Sequence, residues 1–316
     1  MKKAPVIILL ACISLLCACS KSPFSNGEVS DYYRVADQPF QIVEIGDDLD
    51  VSLKHCDHEH PAGTIIIRIG ENLIDGIGTD VEERTVENDG DTLVLNALVI
   101  SNNNTFNYLR PYDFTREMTV YYDSLLMVIF NSNANLVQTD TLRGYLFNTQ
   151  FTQDTIEWDS LAPNLILEVD GGSGNFNVLT NCYRLSTKYI HGTSNLNIKG
   201  NATMASTFAD YDCHGVINSK DLNTHISYIT TYGTNTIKTK SYHMLDVKNH
   251  NIGEVHYLRY WVQKQEQVWN DTLHQIDTVI TQVLCPEVIR YNGEYINIWH
   301  YNNDENGIPG LVQERP

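Results

Sequence analysis

The sequence predicts an all-β protein built as a stack of repeated strand pairs, and three observations support that fold class. Strand-like segments recur every twenty residues through the second half of the chain. Tyr is abundant and Pro scarce, with 18 and 9 residues respectively, and no long amphipathic helical pattern stands out. A constant period is typical of a β-helix or β-solenoid, whereas a β-sandwich, with strands about every 8–12 residues, does not require one.

The repeat has two segments per unit, and about seven units follow an N-terminal β region. The first segments start at Leu125, Tyr145, Leu165, Leu185, Ala205, His225 and Leu245. The second segments follow a small or amide residue at Asn135, Thr155, Asn175, Asn195, Gly215, Asn235 and Gly253. Polar and apolar residues alternate within the segments, so each unit has one apolar side, which it buries by stacking on its neighbours.

The N-terminus has the pattern of a bacterial lipoprotein signal. Lys2 and Lys3 precede an apolar run of about a dozen residues, which is short for a membrane span. Leu16-Cys17-Ala18-Cys19 then resembles a lipoprotein box. The pattern predicts cleavage after residue 18 and lipidation of Cys19 with a diacylglyceryl group and an N-acyl chain such as palmitate. An ordinary cleaved signal peptide is the alternative.

The predicted organisation after cleavage is a tether, one large β domain and a tail. The tether covers residues 19–37, the β-repeat domain 38–302, with an insertion at 258–286, and the tail 303–316. Cleavage removes two lysines and no acid, which changes the net charge from −18 to −20. A chain this acidic repels nucleic acid, so nucleic-acid binding is not expected.

The order of segments in the N-terminal half carries a family resemblance. The segments lie at 40–45, 49–53, 64–74, 91–95, 102–112 and 118–125, and Gly172-Ser173-Gly174-Asn175 and a closing strand at 288–293 follow. This order resembles the Bacteroidetes family called putative auto-transporter adhesin, head GIN domain, over roughly residues 38–300. The resemblance implies an all-β stack in an exported outer-membrane lipoprotein. No acidic run follows Cys19, so the cell surface and the periplasmic face both remain open.

A dense group of candidate metal ligands lies between two predicted strands. His55, Cys56, His58 and His60 occupy six residues, and Cys56, His58 and His60 share one side of an extended segment. Imidazole and thiolate are ligands that suit zinc. The alternative is a polar loop, and no cofactor is predicted.

The four other cysteines of the mature chain leave two states open. Cys56, Cys182, Cys213 and Cys285 could form two disulfides in an oxidising compartment, or they could be buried free thiols.

Aromatic residues cluster in and beside the predicted insertion. Tyr257, Tyr260, Trp261 and Trp269 could bind a sugar ring or a protein surface by stacking. The competing interpretation is that they cover the open end of the stack.

These observations predict a non-catalytic envelope lipoprotein, attached to the membrane by its lipid, that binds or adheres to a glycan or protein partner. Two alternatives stay open. One is a carbohydrate-active β-helix enzyme using Asp210 and Asp212, which with His214 would share one strand face. The other is a periplasmic metal-binding module using the histidine cluster.

Overall fold

The computed structural model describes most of the chain from Ser25 onward. The described residues are 25–46, 48–88, 91–103, 115–131, 133, 135–142, 144, 164–270, 275–293, 298–302 and 310–313. The signal segment, Cys19 and the repeat unit predicted at Tyr145 and Thr155 lie outside them. Within these residues no helix is both long and apolar enough to cross a membrane.

The described chain is almost entirely strand, with one 3-10 turn at Ile74–Gly76. The strands of the N-terminal half are β1 (Val29–Val35), β2 (Ile42–Ile45), β3 (Asp50–His55), β4 (Thr64–Gly70), β5 (Ile77–Asn88), β6 (Asp91–Asn102), β7 (Arg116–Tyr122), β8 (Met127–Asn131) and β9 (Asn135–Thr139). Those that follow are β10 (Asn164–Asp170), β11 (Asn175–Gly192), β12 (Asn195–Cys213), β13 (Val216–Thr231), β14 (Thr236–Thr239), β15 (Met244–Asn249), β16 (Glu254–Asn270), β17 (Gln275–Cys285), β18 (Val288–Gly293), β19 (Ile298–Asn302) and β20 (Gly310–Gln313).

The strands form two faces around a shared core, as the solenoid prediction requires. Sheet one runs β1-β4-β7-β3-β9-β11-β12-β13-β14-β16-β19-β20, and sheet two runs β5-β6-β2-β8-β10-β11-β12-β13-β15-β18. The long strands β11, β12 and β13 belong to both sheets, because their first halves pair in sheet one and their second halves in sheet two. Pairing along the stack is parallel from β2 and β3 onward to β18 and β19, which is how successive turns of a solenoid pair.

The core is formed by columns of apolar side chains that stack from rung to rung. One column in sheet one follows the strand register and consists of Phe176, Leu196, Ile217, Ile237, Val255 and Ile298. Each of these side chains is at most 2 % exposed. Burial of a side chain of this size contributes about 1.5–3 kcal/mol, so the alternating pattern in the sequence specifies which strand face points inward.

The twenty-residue period holds in the middle of the stack and changes towards its ends. Leu165, Leu185 and Ala205 are aligned twenty residues apart, as predicted. Ala205 then aligns with Ser227, and β10 aligns directly with β8, so that Leu167 faces Val128.

Two predicted boundaries differ from the structure. Residues 29–35, predicted as part of the tether, form β1, which pairs antiparallel with β4. Residues 310–313, predicted as tail, form β20 against β19. The sequence did not indicate β1 because most of this strand is exposed, so its residues show no alternation of buried apolar and exposed polar side chains.

Candidate functional site: an exposed hairpin arm and a corner groove

A long β-hairpin projects from the stack within the segment predicted as an insertion. We call residues 260–285 the hairpin arm: the second part of β16 pairs antiparallel with β17 from Tyr260 opposite Cys285 to Asn270 opposite Gln275. The first part of β16 stays in sheet one, and β18 enters sheet two after the arm. The arm therefore leaves the stack at the corner where each rung passes from sheet one to sheet two.

One face of the hairpin arm is uncharged and carries large apolar side chains among glutamines. Residues directly opposite each other in an antiparallel pair share a face, which places together Trp261, Gln263, Gln265, Gln267, Trp269, Ile276, Thr278, Ile280, Gln282 and Leu284. Trp261 and Trp269 are 62 % and 56 % exposed, and Ile276 and Ile280 are exposed to a similar extent. Lys264 and Glu266 form an ion pair of 3.1 Å on the other face. We call the first set the tryptophan face.

Beside the root of the hairpin arm lies a cavity of about 430 Å³, which we call the corner groove. It is lined by Asn181, Cys182, Asn201, Ala202, Thr203, Asn223, Thr224, His225, Lys240, Tyr242 and Tyr260. The corner turns tightly at Gly200, whose φ is +110°, and which stacks on Thr180 so closely that a Cβ would overlap the Thr180 carbonyl oxygen. This tight turn lets the neighbouring asparagines lie one above the other.

Amide side chains form a column along the groove and end at a lysine. Asn181, Asn201 and Asn223 are aligned by the strand register. The Asn223 amide donates to Oδ1 of Asn201 at 3.1 Å. Lys240 Nζ then donates to Oδ1 of Asn223 at 3.0 Å and lies 4.9 Å from the centre of the Tyr260 ring. The lysine is thus held between an amide and an aromatic face.

Aromatic rings form the other wall of the groove. Tyr260 donates its hydroxyl to the Ser241 carbonyl at 3.3 Å, and its partial burial raises the pKa of that hydroxyl to about 12. His225 stacks against Tyr242 and His243, with ring centres 5.7 Å and 5.1 Å apart. Rings, amides and a cation together can bind a polar ligand by stacking and hydrogen bonding.

The four candidate aromatic residues separate into three environments. Tyr257 is 1 % exposed and packs near His300, so it belongs to the core and cannot meet a ligand at the surface. Tyr260 lines the corner groove, whereas Trp261 and Trp269 lie on the tryptophan face.

The predicted metal ligands point to different neighbours. His55 contacts the Thr141 carbonyl, Cys56 lies 4.0 Å from an Asp123 oxygen, and His60 stacks on Tyr121. His58 is exposed.

The loop between these histidines is held by Asp57. Its carboxylate accepts hydrogen bonds from the backbone N–H groups of Glu59 and His60. The bond from His60 is the largest cause of the lowered pKa of Asp57. Over the described residues no group of three or more His, Cys, Asp or Glu side chains could hold a metal ion. Metal binding here stays a prediction.

The residues of the alternative enzyme site are separated by a bulge. Tyr189 pairs with Ala209 but His191 pairs with Asp212, so one extra residue interrupts the alternation between Asp210 and Asp212. The shared strand face of Asp210, Asp212 and His214 therefore stays a prediction. His214 contacts the Thr234 hydroxyl at 2.6 Å.

Cys56, Cys182, Cys213 and Cys285 are free thiols. Burial raises the pKa of Cys182 to about 11 and that of Cys213 to about 12. Burial also raises the pKa of Cys285.

The corner groove was not predicted from the sequence, although the repeat contains a signal for it. Asn181 and Asn201 are twenty residues apart, and so are Lys240 and Tyr260. Positions one period apart stack in a solenoid, so both pairs could have been expected to lie on neighbouring rungs.

Three solved structures match this chain over most of its length. A crystal structure described as a putative adhesin from Bacteroides fragilis NCTC 9343 has a TM-score of 0.59 and 12 % identity, and the match covers 88 % of this chain and 99 % of that one. A putative lipid binding protein from Parabacteroides distasonis ATCC 8503 has a TM-score of 0.49 and 13 % identity, covering 89 % and 99 %. A putative adhesin from Parabacteroides merdae ATCC 43184 has a TM-score of 0.43 and 17 % identity, covering 88 % and 96 %. At these identities the first likeness shows a shared fold.

Comparison with curated protein sequences gave no match. A family model described as "Putative auto-transporter adhesin, head GIN domain" matches residues 39–259, which is more than half of the chain and includes both sheets of the stack. The chain therefore belongs to the putative auto-transporter adhesin, head GIN domain family.

Proposed function

We propose that this chain is a non-catalytic lipoprotein of the cell envelope that adheres to a glycan or protein partner through the tryptophan face. The family and the adhesin-like fold support an adhesion-type role. The observation that carries the proposal is the exposure of two tryptophans and two isoleucines on an uncharged face of the hairpin arm.

The tryptophan face has the composition of a binding surface. Large aromatic side chains are enriched at protein interfaces, and the uncharged glutamines between the tryptophans can hydrogen-bond to a partner. Trp261 and Trp269 are eight residues apart on one strand, or roughly 26 Å at about 3.3 Å per residue. An extended partner, such as a glycan chain or a protein strand, could contact both.

A binding panel tests this proposal. Purified chain is titrated against immobilised glycans and envelope or host proteins, beside the Trp261→Ala/Trp269→Ala double variant. Loss of each tryptophan anchor is expected to weaken binding by about 2 kcal/mol or more. Tyr33→Ala is the matched control, because Tyr33 is 69 % exposed on β1 and lies outside the hairpin arm. Equal binding by the double variant and the control would exclude the tryptophan face.

Anchoring through Cys19 completes the proposal. Several acyl chains give stable membrane attachment where one chain is marginal. Protease treatment of intact cells, with lysed cells as control and an antibody to the β domain as readout, shows which face the domain occupies. Loss of the protein from intact cells is expected for an adhesin, whereas loss from lysed cells alone would place its partner in the periplasm.

A further inference from the structure

The corner groove differs in charge from the molecule around it. The whole chain contains 39 acidic residues and 21 basic ones. The eleven residues that line the groove include Lys240 and no acid. A cation in a pocket without carboxylates attracts an anionic group of a ligand at short range, where the rest of the molecule's negative charge is screened.

Lys240 has donor capacity left for a ligand. An ammonium group has three N–H donors, and one of them is used in the hydrogen bond to Asn223. The Tyr260 ring holds the ammonium by a cation–π contact. Because the ring is neutral, the positive charge of Lys240 is not cancelled. No described carboxylate forms an ion pair with Lys240.

The rest of the groove suits a sugar. Asn181, Asn201 and Asn223 are exposed amides on three successive rungs, so their side chains span roughly 10 Å at about 4.8 Å per rung. Each amide can both donate to and accept from a hydroxyl group. The half-buried rings of Tyr242 and Tyr260 supply faces against which the C–H side of a sugar ring can stack.

We propose that the corner groove binds an anionic saccharide, with Lys240 pairing the charged group, the asparagine column bonding the hydroxyls and Tyr260 and Tyr242 stacking on the ring. The charged group is a carboxylate or a sulfate, which share this chemistry. The proposal goes beyond the proposed function, because it places a ligand at a different set of residues from the tryptophan face.

The test is calorimetric titration of the full chain in detergent with three hexasaccharides of equal length. One consists of galacturonic acid, one is a sulfated galactan and one is a neutral galactan. Lys240→Met is expected to weaken binding of an anionic hexasaccharide about 10- to 100-fold, as for loss of a charged hydrogen bond. Lys240→Arg keeps the charge and is expected to retain most of the affinity.

Lys248→Met is the matched control, since it removes the same charge from an exposed position on β15 outside the groove. Its effect is expected to stay within about twofold. Circular dichroism of each variant shows that the stack has folded. Which anionic hexasaccharide binds distinguishes a carboxylate ligand from a sulfate ligand.

Two results would overturn the groove proposal and leave the proposed function standing. One is equal affinity for the neutral and anionic hexasaccharides, or equal effects of Lys240→Met and Lys248→Met. The other is no binding of any hexasaccharide by a chain that still binds a partner through Trp261 and Trp269. The opposite result is also possible to read. If hexasaccharide binding depends on Lys240 and the tryptophan double variant still binds its partner normally, the groove is supported and the tryptophan face is contradicted.

Discussion

Individual side chains in the stack are constrained by the rung above and the rung below. Leu196 lies between Phe176 and Ile217 in register and is fully buried. Leu179, on the preceding rung, is 40 % exposed. The two leucines therefore provide a direct comparison between the core column and the outer surface of the same fold.

Leu196→Ala is expected to lower the free energy of unfolding by about 2–5 kcal/mol, because it leaves a cavity between two buried side chains. Leu179→Ala is expected to change it by less than about 1 kcal/mol. Urea unfolding followed by circular dichroism measures both. Similar losses for the two variants would contradict the inward orientation of Leu196.

The cysteines are expected to differ sharply in reactivity. At pH 8, Cys182 and Cys213 should react slowly with an aromatic disulfide reagent, because burial blocks access and their raised pKa values keep the thiols protonated. Cys56 is partly exposed and should react quickly.

In a chain that starts at Ser20, Cys56→Ser should therefore remove one fast-reacting thiol, whereas Cys213→Ser should leave the fast phase unchanged. A fast phase that persists in Cys56→Ser and disappears in Cys213→Ser would show that the described burial is wrong.

At the scale of elements, the hairpin arm is separate from the stack. The strand pairing described for the arm is between its own two strands, and Tyr260 at its root also bonds to Ser241. The first part of β16 and β18 are held in the stack by β14, β15 and β19. A two-stranded hairpin is marginally stable by itself, so we do not expect the arm to contribute to the stability of the stack.

Replacing residues 262–283 by a tight Asn-Gly turn is expected to leave the melting temperature within a few degrees and to remove partner binding. The shortened hairpin keeps the pair of Tyr260 and Cys285 at its root. Scanning calorimetry and the binding panel measure the two effects. A large fall in melting temperature would mean that the arm supports the stack, and unchanged binding would move the binding surface elsewhere.

At the scale of the whole molecule, the stack is a nearly one-dimensional assembly in which each rung contacts its neighbours. Deletion of residues 176–195 joins Asn175 to Leu196 and removes one complete period, so the core column stays in register. Deletion of residues 176–185 removes half a period and connects a sheet-one position to a sheet-two strand.

The full-period deletion is expected to fold cooperatively with reduced stability, whereas the half-period deletion is expected not to fold. Far-ultraviolet circular dichroism and thermal melting distinguish them. Equal behaviour of the two deletions would contradict a stack with a repeating register.

The sequence predicted the parts of the fold that the period controls and missed those that interrupt it. Alternating residues around Asn175 and Asn195 specify aligned strands, and the structure confirms that alignment. β8 and β10 pair directly, with Leu167 opposite Val128, and the twenty-residue period does not indicate this register. β1 was assigned to the tether because an exposed edge strand has little apolar pattern.

The candidate site was predicted only in part, for a related reason. Aromatic composition identified Tyr260, Trp261 and Trp269, but composition could not separate them from the buried Tyr257. The corner groove combines side chains from successive rungs, and the contact of Lys240 with Tyr260 depends on how those rungs stack at the corner. The bulge between Ala209 and Asp212 likewise depends on pairing with β11, which the sequence of β12 alone does not indicate.

The central claim is that an anchored β-stack adheres through its hairpin arm. The most direct measurement is the adhesion of cells to glycan-coated and protein-coated surfaces. Four strains are compared, which carry the wild-type chain, Cys19→Ser, Trp261→Ala/Trp269→Ala or, as control, Tyr33→Ala. The account predicts adhesion by wild-type and Tyr33→Ala cells and its loss in the other two strains. Undiminished adhesion by the tryptophan double variant, present in the envelope at the wild-type level, would contradict the account.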